Sequence, residues 1–499
     1  MLDFKQSEGE AVGMLGFKQS EGKAGPIEGG QHGFPFLESV TPLASLGYSE
    51  EEYFFSGQAT SYTASQPLGT NGRWEVRPAD TMPYTSRLLV RRPADPAKFN
   101  GTVIVEWLNV SYGHDVAVSW THSIDHLLRE GYAYVGVSAQ EAGVEGLPVG
   151  TPDRNNGALK LWDPVRYAPL DHPGDSFSYD IFTQAARAIR GDDGVRPLGE
   201  LRVKHLVAVG ASQSGIRLNT YINAVQPLKN AYDGFIVQVA FGLGAQLSQA
   251  PQPAVSAPDA FQVFGVEYSP LFLRTDLRVP VLVIESETEV LGWPPLGDSY
   301  HRRQPDTDLL RRWEIAGGAH GSAQGNMVSV ADVAHADPAL PGADVSVFLE
   351  CARPINRGPV TYVYNAGYEA MRRWLGPHPI APTSALLDVI PGTTLTVEKD
   401  AVGNALGGVR STLLDVPTAV YSGTNKPGAS GAGNPLGGST VPLDDATLRS
   451  LYTTHQDYVE KVAASARKLV DEGFLVPDDA TQLTREAMRS DIGFPAGRP

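Results

Sequence analysis

Residues 205–225 read HLVAVGASQSGIRLNTYINAV. An unbroken apolar run reaches Gly210-Ala211-Ser212-Gln213-Ser214-Gly215, and a helical pattern starts at once. A serine at the apex of a strand–turn–helix has its hydroxyl lifted clear of the backbone, as attack on a carbonyl requires. Such a turn is strained and presses the residues two before and two after the nucleophile together, so both must be small. Gly210 and Ser214 flank Ser212, whereas Ser212 and Ile216 flank Ser214. The bulk of Ile216 therefore selects Ser212. The same turn would point the Gln213 N–H, at the positive end of the helix, at a developing oxyanion.

A serine hydroxyl needs a base, and on a parallel α/β scaffold the expected chain order is serine, acid, histidine. Downstream, VPVLVIESETEVLG (279–292) is an apolar strand pattern ending in Glu285, Glu287 and Glu289. Glu285 still belongs to the strand end. Glu289, four residues on, is expected to reach an imidazole from the loop, with Glu287 as the next choice. RRWEIAGGAHGS (311–322) then runs a short strand, Trp313–Ala316, into a Gly-rich turn carrying His320. Of the 11 histidines, this one follows a strand downstream of Ser212 in a Gly-rich turn. A second oxyanion donor is expected from the loop after GTVIVEWL (101–108), from a backbone N–H of Asn109, Val110 or Ser111. His114 and Asp115 in that loop would bind substrate or cap the next helix.

The elements that must position these residues are legible as hydrophobic runs. Residues 53–62 and 84–92 read as extended. Residues 101–108, 132–138, 205–210, 235–241 and 279–285 are nearly continuous apolar runs, the mark of strands covered on both faces. Helical spacing at 120–129, 180–189 and 215–225 supplies the covers. The expected fold is α/β, a mostly parallel, doubly wound sheet. Residues 141–178 and 242–275 are too long for simple connections and read as lid insertions. Trp162, Tyr167 and Phe177 in the first, and Phe261, Phe264, Phe272 and Leu273 in the second, are candidates for a substrate pocket.

Three regions follow: a polar, flexible arm over 1–35, a catalytic core over 36–380, and an extension over 381–499. The arm repeats FKQSEG at 4–9 and 17–22, a single local duplication. The extension combines a Gly/Pro-rich stretch (402–440) with an amphipathic helix over 444–473, expected to dock on the core. GASGAGNPLGG (428–438) lacks the strand and helix of a phosphate-cradling loop and reads as a surface loop.

Composition narrows the function classes. The 499 residues carry 56 Asp+Glu against 40 Lys+Arg, a formal charge of −16, with no basic run to hold nucleic acid. No apolar run approaches the ~18 residues of a membrane span. The single cysteine, Cys351, can form no internal disulfide and no Cys-based zinc site. Metal-dependent and NAD chemistry lack their His-Glu-x-x-His and early G-x-G-x-x-G patterns. With no signal core at its start, the chain is expected to be cytoplasmic.

Several segments resemble the α/β-hydrolase superfamily, and more narrowly a large bacterial family of alpha/beta-hydrolase domain proteins. They are YTSRLLVRRPADPAKFNGTVIVEWLNVS (84–111), REGYAYVGVSAQ (129–140), LWDPVRYAPLDHPGDSFSYDIF (161–182), VGASQSGIRL (209–218), SETEV (286–290), AGGAHG (316–321) and GGVRSTLLDVPTAVYSG (407–423). The likeness spans roughly 45–490, which makes the extension integral to the unit. It implies that Ser212 is the elbow serine, His320 the turn histidine, and Glu289 the acid, often Asp in the family. It also implies a cofactor-free serine hydrolase, most often assumed to act on carboxylic esters. Expected partners are small-molecule esters, not nucleic acid or membrane. Acyl transfer, amide hydrolysis, or a non-catalytic binding role on the same scaffold are the alternatives.

Overall fold

The apolar runs become strands because both of their faces are buried. The structure, a computed structural model, describes residues 25–494 except 65, 67, 70, 147–156, 192–195, 250–260, 264–265, 341, 345–349, 378–379 and 429–434. Eight strands form the central sheet: β1 (Tyr48–Ala64), β2 (Val76–Pro93), β3 (Thr102–Trp107), β4 (Ala133–Val137), β5 (His205–Ala211), β6 (Gly234–Gln238), β7 (Val281–Ser286) and β8 (Leu310–Ile315). Their order is β1-β2-β4-β3-β5-β6-β7-β8. β1, β2 and β4 pair antiparallel, and the pairs from β4 through β8 are parallel. Val103, Val105 and Trp107 enter one core cluster, and Ile104 and Leu108 the other. Helices α1 (Val118–Arg129), α2 (Ser178–Arg190) and α3 (Gln213–Ala224) cover both faces, α2 and α3 the first and α1 the second. This is the expected doubly wound arrangement. Among the described residues no helix is long and apolar enough to cross a membrane.

One expected strand is shorter than its apolar run. The stretch 235–241 leaves the sheet at Gln238, because Val239 (φ 47°) and Phe241 (φ 58°) are left-handed. Side chains of this kind rarely accept such a backbone.

The expected flexible arm does not extend to residue 35. Residues 1–24 lie outside the described part, but 25–35 are strapped to the body. Gln31 N and His32 N both donate to Asp163 Oδ2, Arg166 donates to the carbonyls of Gly29 and Ile27, and the His32 ring stacks on Trp162 at 3.9 Å. The described parts of both long insertions are likewise packed into the body. Phe177 and Leu273 are buried in the core, and Leu243–Ala245, Phe261–Val263 and Val266–Pro270 make a small antiparallel sheet beside α3.

The extension closes the open edge of the sheet. Val409 N donates to Glu314 O and accepts, through its carbonyl, the N–H of Ala316. This rung satisfies part of the β8 edge, which would otherwise be a template for strand addition. The expected single helix over 444–473 is two, Asp445–Leu451 and a longer one from His455 to Glu472. Tyr452 breaks it by turning its hydroxyl onto Pro417 O at 2.8 Å, and Thr454 caps the second piece by accepting from Asp457 N.

A buried ion cluster ties the strap, the sheet and the loop after β3 together. Arg87 donates to Glu52 (3.0 Å), to Asp115 (3.0 Å), to Ser138 Oγ and to Phe36 O, and Arg166 and Tyr167 complete Glu52. Asp115 thus neither caps α1 nor faces a substrate. The N–H groups of Ser119 and Trp120 go instead to the Glu106 carboxylate. Arg87→Met leaves the buried Asp115 without its cation and Glu52 with Arg166 alone. It is expected to cost about 3–5 kcal/mol of stability in urea unfolding. A loss within the ~0.5 kcal/mol of an ordinary surface change would remove the cluster from this role.

Candidate active site

One residue, Ser212, separates β5 from α3. It sits at φ 57°, ψ −124°, a left-handed backbone that turns the chain from strand to helix in a single step. The local sequence accommodates this because a methyl group on Gly210 would lie 2.7 Å from Ser214 O, and one on Gly215 would lie 3.0 Å from Gly210 O. A side chain on Gly210 would collide with the helix backbone, and one on Gly215 would crowd the strand. Ser212 N is anchored on Gln238 O of β6 at 2.9 Å. Ser214 is fully buried, its Oγ accepting from Ala211 N and donating to Ala211 O, both at 3.0 Å. The second serine therefore closes the turn, and Ser212 is the one that faces outward.

Three side chains from distant parts of the chain meet here. His320 Nε2 lies 2.9 Å from Ser212 Oγ, and His320 Nδ1 lies 2.6 Å from Glu289 Oε1. With Nδ1–H donating to Glu289, Nε2 is left as the acceptor for the serine hydroxyl. Glu289 belongs to the short helix α4 (Glu287–Leu291), directly after β7. A capping box fixes it: its Oε2 accepts from Ser286 N (2.8 Å) and Ser286 Oγ (2.5 Å), while Ser286 Oγ accepts from Thr288 N.

The neighbouring carboxylates do other things. Glu287 accepts from Gly317 N at 2.6 Å and from Gly423 N at 2.8 Å, joining the histidine turn to the extension. Burial pushes its pKa up to about 7, and the two N–H donors pull the other way. Glu285 is 1% exposed, and burial raises its pKa well above the usual carboxylate range. Thr288 Oγ1 accepts from His320 N at 3.0 Å, and Asn356 Nδ2 donates to Gly317 O. His320 thus sits on a turn clamped from below by α4 and from the side by residues 356 and 423.

The oxyanion-loop candidates separate on inspection. Asn109 N is used in a pair with Val116 O, and Ser111 N is taken by Asn109 Oδ1 at 2.8 Å. Neither N–H can serve an oxyanion, because the loop uses both to hold its own shape. Asn109 acts through its side chain, with Nδ2 donating to Ala211 O one residue before Ser212. Val110 N faces the elbow, with a 3.3 Å contact to Gln213 Oε1. Gln213 N–H, in the first turn of α3, has no intrahelical acceptor.

Trp162, Tyr167 and Phe272 do not meet Ser212. Trp162 and Tyr167 are buried in the core behind α1, with Trp162 Nε1 donating to Ala336 O and Tyr167 OH to Glu52. Their large apolar faces found the core first. Phe272 O accepts from Asn223 Nδ2, ten residues beyond Gln213 on α3 and so ~15 Å down its axis. Phe264, and the side chain of Phe261, lie outside the described residues.

Three residues around the site escaped the sequence reading. The Phe241 ring lies 5.6 Å from the His320 ring. Behind the histidine turn, His122 donates from Nδ1 to Val118 O and accepts at Nε2 from Ser322 N. Burial pushes its pKa down to about 4, so it stays neutral beside His320. Gln140, just past β4, pairs with Gln213. A polar residue at the carboxyl end of a parallel strand was the available signal for Gln140. Nothing local marks the other two. Among the described residues, no group of three His, Cys, Asp or Glu could hold a metal ion.

The sequence pattern of the alpha/beta hydrolase domain matches residues 23–485. The chain belongs to the alpha/beta hydrolase domain family. No curated protein matches it. Solved structures with a likeness include an a/b serine hydrolase without lid from Xanthomonas campestris (12% identity, 52% of this chain and 83% of that one, TM-score 0.25). An alpha-beta serine hydrolase homologue from Coxiella burnetii is 10% identical over 50% of this chain and 92% of that one, TM-score 0.27. Est1E from Butyrivibrio proteoclasticus, with ferulic acid bound, is 11% identical over 50% and 94%, TM-score 0.28.

In this hydrolase the clamp under His320 can be tested apart from the chemistry. Glu287→Gln sets an NH2 group against Gly317 N–H or Gly423 N–H. Leaving one buried donor unmatched is expected to cost about 1–3 kcal/mol in urea unfolding, with turnover falling as the histidine turn loosens. Unchanged stability and turnover would show that neither N–H needs the carboxylate.

Proposed function

We propose that this alpha/beta hydrolase is a serine esterase that cleaves small carboxylic esters through an acyl-enzyme. The observation that carries the reading is the continuous chain of contacts from Ser212 Oγ to His320 (2.9 Å) to Glu289 (2.6 Å). A purely binding role would leave that chain of contacts without a use.

In the proposed reaction His320 Nε2 removes the Ser212 proton as Oγ bonds to the ester carbonyl carbon. Glu289 holds the imidazole in the required tautomer and stabilises the imidazolium that forms. The charge on the carbonyl oxygen falls to the N–H groups of Gln213 and Val110, helped by the positive end of α3. The tetrahedral intermediate collapses, and His320 gives its proton to the leaving alcohol. Water, activated by the same ring, then attacks the acyl carbon and returns Ser212 to its free state. No step calls for a cofactor.

A fluorophosphonate, read by intact mass, tests the nucleophile. One adduct is expected on the wild type and on Ser214→Ala, and none on Ser212→Ala, which also loses aryl-ester turnover. An adduct that survives in Ser212→Ala would move the nucleophile elsewhere, and no adduct on folded wild type would end the esterase reading. Glu289→Gln is expected to lower kcat by about 10⁴, as loss of the orienting acid does when the tautomer is wrong. Product partition in the presence of added alcohol or amine separates hydrolysis from acyl transfer, with free acid the expected product.

A further inference from the structure

The elbow carries a pair of carboxamides that the proposed reaction does not use. Gln213 Nε2 donates to Gln140 Oε1 at 2.6 Å, and Gln140 Nε2 donates back to Gln213 Oε1 at 3.2 Å. The same Gln213 Oε1 accepts from Val110 N at 3.3 Å. Gln140 is 1% exposed, placed at the end of β4, and its Nε2 also lies 3.5 Å from Leu108 O. The two oxyanion donors thus belong to one residue and to the backbone that this residue's side chain touches. Gln213 supplies the first donor from its main chain and meets the second, Val110 N–H, with its amide oxygen.

We propose that Gln213 and Gln140 form a positioning latch for the oxyanion hole, an inference that rests on the esterase reading above. The reciprocal amide pair fixes the Gln213 side chain. The fixed Oε1 in turn sets where Val110 N–H stands relative to Gln213 N–H. In the resting enzyme Oε1 also serves as the acceptor for Val110 N–H, which a half-buried donor requires. At 3.3 Å this contact is long for an N–H···O bond, whose usual range ends near 3.2 Å. A developing oxyanion, charged and closer, takes the donor over, while Gln140 keeps Oε1 satisfied. The latch is selective for the transition state, because an uncharged ester oxygen competes with Oε1 on nearly equal terms and an oxyanion does not.

The latch needs an amide at position 213, since it must donate to Gln140 and yet hold Val110 N–H only weakly. A carboxylate there fails on both counts and adds negative charge beside the oxyanion. Gln213→Glu is therefore expected to lower kcat by about 10²–10³, the effect of losing one oxyanion donor, while KM moves less than about threefold. Gln140→Ala and Gln213→Ala release the loop without adding charge. They are expected to lower kcat by roughly tenfold, a fraction of a whole donor. The inhibition constant of an alkyl trifluoromethyl ketone, whose hemiketal oxyanion takes the same place, should rise by the same factor as kcat falls in each variant. Circular dichroism and the unfolding midpoint identify any variant that fails to fold, and the other two then carry the test.

The result that overturns the latch is a Gln213→Glu enzyme with wild-type kcat and ketone affinity, or a loss confined to KM. The esterase reading is judged separately, on wild type. If wild type takes one fluorophosphonate adduct on Ser212 and turns over aryl esters while the glutamine variants match it, the latch alone fails. If wild type neither labels nor turns over, the esterase reading fails and the latch falls with it.

Discussion

The structure turns on one backbone angle. Ser212 must stand at φ 57° between the last residue of β5 and the first of α3, because a single residue has to reverse the direction of the chain. Holding a non-glycine residue there costs on the order of 1–3 kcal/mol, and the surroundings must over-determine it. Here they do so from three sides. Gly210 and Gly215 allow the strand and helix to touch, Ser214 bonds back to Ala211, and Gln238 O of the next strand receives Ser212 N. The outward Oγ and the free N–H of Gln213 are consequences of the same turn.

Once the elbow is set, the remaining groups must be brought to it from segments far apart in the chain. The loop after β3 is tied to the elbow by Asn109 Nδ2 on Ala211 O and tied to the sheet by Asp115 on Arg87. The histidine turn is tied to α4 by Glu287 and Thr288, to Asn356, which itself reaches Ser422 O of the extension, and to Gly423 of the extension through Glu287. The extension is thus more than a cover for the sheet edge. Without the turn at Gly423, one oxygen of Glu287 would lose the donor it holds. Apart from Asp115 Oδ1, the polar groups buried at these joints are matched with donors or acceptors from other elements, and this gives the site one arrangement instead of several.

Much of this was legible along the chain. Continuous apolar runs marked the strands, since a strand covered on both faces has no polar side to show. The small residues around Ser212 marked the elbow, since the turn admits nothing larger, and they also separated Ser212 from Ser214. Chain order then led to Glu289 and His320. Two aromatic candidates, Trp162 and Tyr167, are core for a physical reason: they look the same in sequence whether they line a pocket or fill a core. The end of β6 is not legible in the sequence, because Val239 and Phe241 hold a left-handed backbone although their side chains favour an extended one. His122 and Phe241 gave no local signal, because their importance comes only from lying against His320.

What the sequence by itself determined is the local chemistry: alternating elements, a serine in a turn that only small flanks permit, and an acid and a histidine in the right order. Those properties depend on side-chain volume and hydrophobic period over a few residues, and they can be read one window at a time. Only the tertiary structure decided which carboxylate meets the imidazole, which loop N–H faces the elbow, and which aromatic rings are core. Each of those is a competition for a partner, between groups from two residues apart within one loop to more than a hundred apart across the fold. Asn109 N and Ser111 N lost theirs to Val116 O and Asn109 Oδ1, and Glu287 spent its two oxygens on Gly317 and Gly423. Short bonds inside the loop commit the N–H groups of Asn109 and Ser111, whereas the 3.3 Å contact of Val110 N faces the elbow, and only the folded chain shows the difference.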